Sequence, residues 1–155
     1  METEKQWISS KVLFSAISDQ LAENRQAVFT VTGMSMWPFM CHGRDQVIVG
    51  KVDRENLKIG DIVLFQVTEE KYILHRITHL GEGVFQTTGD GNLFRDMPMS
   101  YHSIVARVDH VIRKGKNIDC NSIKWKMLSR IWMALFPARK WMFRIWFSIR
   151  EKIRR

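Results

Sequence analysis

DIVLFQVTEEKYILHRITHLGEGVFQTT (residues 61–88) decides the fold: three apolar, β-branched runs follow one another with no helical spacing between them. DIVLFQV (61–67), YILHRITHL (72–80) and GVFQTT (83–88) favour extended backbone, because branched and aromatic side chains pack well on a pleated surface. Gly81-Glu82-Gly83 and Gly89-Asp90-Gly91-Asn92 supply turns. Outward from this segment, AVFTVT (27–32), DQVIVGKV (45–52) and SIVARVDHVI (103–112) read in the same way. His42-Gly43-Arg44-Asp45 and Ile59-Gly60-Asp61 are the turns that punctuate them. Six short strands with tight turns predict a mainly β, antiparallel, partly closed fold.

Helical spacing is confined to the ends. Over residues 5–24, Leu13, Ile17 and Leu21 recur every four, with Val12 and Phe14 beside them, which predicts a short amphipathic helix. Residues 123–155 hold four of the six tryptophans: Trp125, Trp132, Trp141 and Trp146. Pro137 divides this tail into two predicted helices. In the second, Trp141, Met142, Ile145, Trp146, Ile149 and Ile153 share one face. Arg144, Arg150, Lys152, Arg154 and Arg155 take much of the rest, with Phe143 and Phe147 interrupting the polar side. The expected organisation is an N-terminal helix in 1–26, a β domain in 27–116 and a basic, Trp-rich helical tail in 117–155.

The charge follows the same division. Of the net +8, residues 123–155 carry +9, from ten Lys/Arg and one Glu, and the rest of the chain carries −1. Two cysteines, Cys41 and Cys120, are too few for a disulfide framework. No uncharged apolar stretch reaches the ~18 residues of a membrane span, and the opening residues lack a signal-peptide run. The expected location is cytoplasmic, peripheral at the inner face of the membrane.

Three residue types with the chemistry of nucleophilic catalysis, a serine, a histidine and an aspartate, occur in suggestive settings. Ser35 follows the strand 27–32 in TGMSMWP (32–38), where Gly33 loosens the loop and Pro38 stiffens it. A serine hydroxyl needs an adjacent base near neutral pH, and histidine titrates in the right range. His75 stands within YILHRI. Asp90 and Asp96 flank the turn in TTGDGNLFRD (87–96). Singly, each has an ordinary reading: a turn serine, a satisfied strand histidine, a turn aspartate.

GMSMWPFM, GDIVLF, YILHRI, TTGDGNLFRD and IVARV, in that order, resemble the type I signal peptidase family. They are most similar to the branch of endoplasmic reticulum and spore-former enzymes, in which histidine replaces the usual lysine base. The likeness runs from Val28 to Val108, about half the chain. LexA-type self-cleaving repressors share a Gly-Met-Ser-Met-like block but use lysine where this chain has His75.

The resemblance implies a signal-peptidase-type or LexA-like β domain with Ser35 as nucleophile, His75 as general base and Asp96 as the residue that orients it. It implies supporting places for Asp90, Gly33 and Met36, a structural place for Asp61, and no metal or cofactor. The expected function is a serine endopeptidase that cuts a precursor peptide or protein. The chain departs from the family in three ways. Residues 1–28 form no membrane span. Gly33 stands where some members have a serine whose hydroxyl assists the oxyanion. Gly89-Asp90-Gly91-Asn92 replaces the more usual Gly-Asp-Asn-Asn. The tail suits an anionic membrane surface or a protein partner. The alternatives are an inactive peptide-binding relative, or a nucleic-acid-associated protein acting through the tail, although no DNA-reading motif accompanies its charge.

Overall fold

The computed structural model describes residues 10–154. The first five residues of the predicted N-terminal helix, 5–9, and the terminal Arg155 lie outside them.

The chain runs α1 (Ser10–Ala22), β1 (Ala27–Thr30), β2 (Asp45–Gly50), β3 (Ile62–Gln66), β4 (Tyr72–Leu80), β5 (Val84–Thr88), β6 (Met99–Ser100), β7 (Ile104–Arg113), β8 (Lys116–Asp119), α2 (Ile123–Ala134) and α3 (Arg139–Arg154). Among the described residues, all eight strands form one antiparallel sheet in the order β1-β2-β7-β3-β4-β5-β6, with β8 added beside β7. The expected architecture therefore holds: an antiparallel half-barrel with a helix at the N-terminal end and helices at the C-terminal end. β6 and β8 are additions to the six predicted strands. β8 crosses position 116, where the β domain was expected to end.

β7 is the long spine of the sheet, pairing with β2 along one side and with β3 and then β8 along the other. Register slips at Ile48/Val49, Leu64/Phe65 and Ile77/His79 bend the sheet. β3 is buried on both faces. Ile62 and Leu64 enter one core with α1, β2 and Trp125, while Val63 and Phe65 enter a second with Ile77, Phe85 and Ile104. That explains its unbroken apolar run, IVLF, where a half-exposed strand would alternate.

α1 presents Phe14, Ile17 and Leu21 to the first core, close to the predicted face. Val12 points outward. α2 starts at Ser122, whose hydroxyl accepts the Trp125 N–H. It buries Trp125 and Ser129 against the sheet. Pro137 sits in a single turn of 3-10 helix, Phe136–Ala138, and divides the tail where the sequence predicted. Among the described residues, no helix is long and apolar enough to cross a membrane.

Candidate active site

Ser35 lies in a turn between β1 and β2, in a loop pinned at both ends. Val31 N–H donates to the Asp45 carbonyl and Gly43 N–H to the Val31 carbonyl, each at 2.9 Å. The Asp45 carboxylate is fully buried and takes hydrogen bonds from the Cys41 N–H, Arg44 and Arg113. Burial opposes its ionisation, but these donors prevail and pull the carboxyl from 3.8 down to about 2. Met36 and Met40 anchor the middle of the loop in the core. The supporting place expected for Met36 is thus a core position directly after Ser35. The Trp37–Pro38 peptide bond is cis.

Gly33 adopts φ +79°, a left-handed conformation that disfavours any side chain. Its N–H donates to Nδ1 of His42 at 2.9 Å. With no hydroxyl and its amide already engaged, Gly33 offers no donor to a developing oxyanion. The Ser35 N–H, by contrast, donates to no protein group among the described residues. His42 lies in the turn where the sequence places it, and its bond to Gly33 is an addition that the sequence reading lacked. Its ring is exposed, yet it holds the residue that sets the loop's direction.

The Gly89-Asp90-Gly91-Asn92 turn braces this loop from behind. Gly91 N–H donates to the Ser35 carbonyl at 2.8 Å. A Cβ on Gly91 would meet the Met34 carbonyl oxygen at 2.7 Å and that of Trp37 at 3.0 Å; one on Gly89 would meet the Ser35 carbonyl oxygen at 2.5 Å. Only glycine permits so close an approach of two backbones.

Asp90 lies within the turn, and its carboxylate faces away from the cleft. It accepts Nε of Arg76 at 2.9 Å and Nη2 at 2.7 Å, a bidentate pair with both side chains buried. Arg76 also donates to the Gly60 carbonyl and to Oγ of Ser129 on α2, and its guanidinium lies 4.7 Å from the centre of the Phe39 ring. The supporting place expected for Asp90 is therefore a buried strut. Its partner Arg76 directly follows His75 in YILHRI.

His75 and Asp96 meet directly. Nδ1 of His75 lies 2.5 Å from Oδ2 of Asp96. Thr87 Oγ1 donates to the same oxygen at 2.6 Å, and the Asp96 N–H returns a bond to the Thr87 carbonyl at 2.9 Å. Gln86 holds the Asp96 carbonyl. Burial raises the Asp96 carboxyl, but the bonds from His75 and Thr87 outweigh it and keep it below the usual carboxylate value. A carboxylate on Nδ1 selects the tautomer with its proton there, leaving Nε2 as the basic nitrogen.

Ser35 and His75 line one cleft of about 180 Å³, together with Phe14, Phe29, Tyr72 and Leu74. No hydrogen bond joins Ser35 to His75 among the described residues. Catalytic contacts of this kind often tighten only when substrate is bound. Most of the other lining side chains are apolar, and Phe14 from α1 stacks on Tyr72 with ring centres 4.0 Å apart. The site can therefore present a serine hydroxyl, an oriented imidazole and one backbone donor beside an apolar slot.

Asp61 closes the turn into β3 by accepting the Lys58 N–H at 2.9 Å. Among the described residues, no cluster of His, Cys, Asp and Glu could hold a metal ion. Burial pushes the Cys120 thiol up to about 12, so it supplies no thiolate near neutral pH. No protein-family model matches this chain, and no curated protein matches it either.

Proposed function

We propose that the chain is a serine endopeptidase, similar to the histidine-base signal peptidases, which cuts a precursor peptide or protein through an acyl-enzyme. The observation that carries this reading is the 2.5 Å contact of Asp96 with His75, a residue that lines the same cleft as Ser35. As Ser35 Oγ attacks the peptide carbonyl carbon, Nε2 of His75 takes its proton and Asp96 stabilises the imidazolium. The negative charge on the carbonyl oxygen falls to the Ser35 N–H, and such a donor is worth about 3 kcal/mol in a transition state. The carbonyl–nitrogen bond breaks and His75 protonates the departing amine. Water then hydrolyses the ester with His75 again as base. The enzyme works in the cytoplasm at the inner face of the membrane.

The absence of a Ser35–His75 hydrogen bond favours one second reading, an inactive relative that binds an extended peptide along a sheet edge. The same experiment separates the two. Wild type and Ser35→Ala are incubated with peptides encoded beside the gene, and the products are read by mass spectrometry. A cleavage product formed by wild type and missing from Ser35→Ala is expected. Equal products from both proteins, or none from either, would overturn the peptidase.

A further inference from the structure

The tail was expected to offer its whole length, 123–155, to a membrane or partner, but its two helices differ. α2 turns Trp125 and Ser129 into the body of the protein, and Trp132 Nε1 donates to the Asp90 carbonyl at 3.0 Å. α3 buries only Arg139. Trp141 is 62% exposed, Ile145 59%, Trp146 50% and Ile153 79%, with Met142 and Ile149 also open. These six form a continuous apolar band along a helix of about 24 Å.

Five exposed basic side chains accompany the band, Lys140, Arg144, Arg150, Lys152 and Arg154, against the single acid Glu151. The inner side of α3 packs on the nucleophile loop: Trp37, two residues past Ser35, has its ring 5.6 Å from Phe143 and 5.9 Å from Trp146.

We propose that α3 is a lipid-docking helix that lies flat on an anionic bilayer surface. The charge selects the occupant. An apolar face alone would suit a second copy of the chain or a protein groove, but pairing two copies would bring both sets of five bases together. An anionic lipid surface accepts both properties at once: tryptophans and isoleucines enter the headgroup boundary while lysine and arginine stems reach back to the phosphates. The helix is too short and too charged to span a bilayer, so it rests in the interface. Because Trp146 belongs both to the band and to the cluster around Trp37, the lipid-bound face and the nucleophile loop share one aromatic contact.

Vesicle flotation of the full chain tests this without calling on catalysis, so its outcome is independent of the peptidase reading. Wild type is expected to float with phosphatidylcholine vesicles containing phosphatidylglycerol, to float poorly with phosphatidylcholine alone, and to lose binding as salt is raised. Ile145→Glu combined with Ile149→Glu should cut partitioning at least about tenfold. Arg144→Glu combined with Arg150→Glu, which leaves the apolar band intact, should weaken binding to the anionic vesicles alone. Either pair floating like wild type, or wild type failing to float, would overturn the proposal. So would a wild-type dimer that binds no vesicles and is broken by the isoleucine pair, since a second copy would then be the occupant.

Discussion

The carboxylate of Asp90 receives both Nε and Nη2 of Arg76, so replacing it by asparagine strands a guanidinium that is wholly buried. Breaking one side of such a pair costs about 3–5 kcal/mol, and Asp90→Asn should show this as a lower midpoint in urea unfolding. Asp96, six residues on, faces His75 instead. Asp96→Asn keeps the shape and loses the charge that fixes the tautomer, so thermal stability should change little. On the proposed mechanism, kcat should fall by up to about 10⁴-fold. The opposite pattern, a stable Asp90→Asn and a collapsed Asp96→Asn, would exchange the two assignments. Asp45 acts at the same scale through acidity. Its folded value of about 2 lies below 3.8, so its contribution is complete above about pH 4 and disappears as pH falls through about 2. That contribution is roughly 2 kcal/mol, and acid titration of unfolding in wild type and Asp45→Asn should differ in that window.

Among the elements, the glycine turn decides most. Gly91→Ala puts a methyl group 2.7 Å from the Met34 carbonyl oxygen, within the loop that carries Ser35. The loop must move, so on the proposed mechanism activity should drop well beyond what the melting temperature predicts, and activity-probe labelling of Ser35 should fall with it. The strands themselves were readable because each occupies a β-branched run between turns. β6 and β8 were not. β6 is only two residues long, and β8, Lys-Asn-Ile-Asp, has one apolar side chain and no alternation. Pairing with β5 and β7 makes them strands, and propensity does not. Ser35, His75 and Asp96 were legible as motif positions because their local blocks are distinctive. The work of Arg76 was hidden, since its partners lie 14 residues away in a turn and 53 away on α2. Only the folded register brings them together. His42 was hidden for a like reason: nothing local marks a side chain that accepts the N–H of Gly33, nine residues earlier.

Across the whole molecule, the tail is part of the body. Arg139 is 1% exposed and donates to the Gly89, Asn92 and Trp132 carbonyls, with its guanidinium over the Trp132 and Phe136 rings. Phe39, in the loop that carries Ser35, meets Trp125 edge-on, with ring centres 5.2 Å apart. A chain stopped at residue 122 would lose Trp125 from the core and uncover Arg76, so it should be cut by trypsin far faster than the full chain. Equal resistance of the two would show that the β domain stands alone. Surface variants on α3 are therefore the cleaner probe of what the tail touches.

The bracing of the Gly89–Asn92 turn also sets an order in time. A ribosome makes every strand and all three proposed catalytic residues before it reaches Trp132 and Arg139. Until those two emerge, the carbonyls of Gly89 and Asp90 lack their side-chain donors and the turn behind Ser35 is held from one side only. On the proposed reading, the nascent protein carries an unfinished blade, and its cutting edge is set only when the helices that follow have been made.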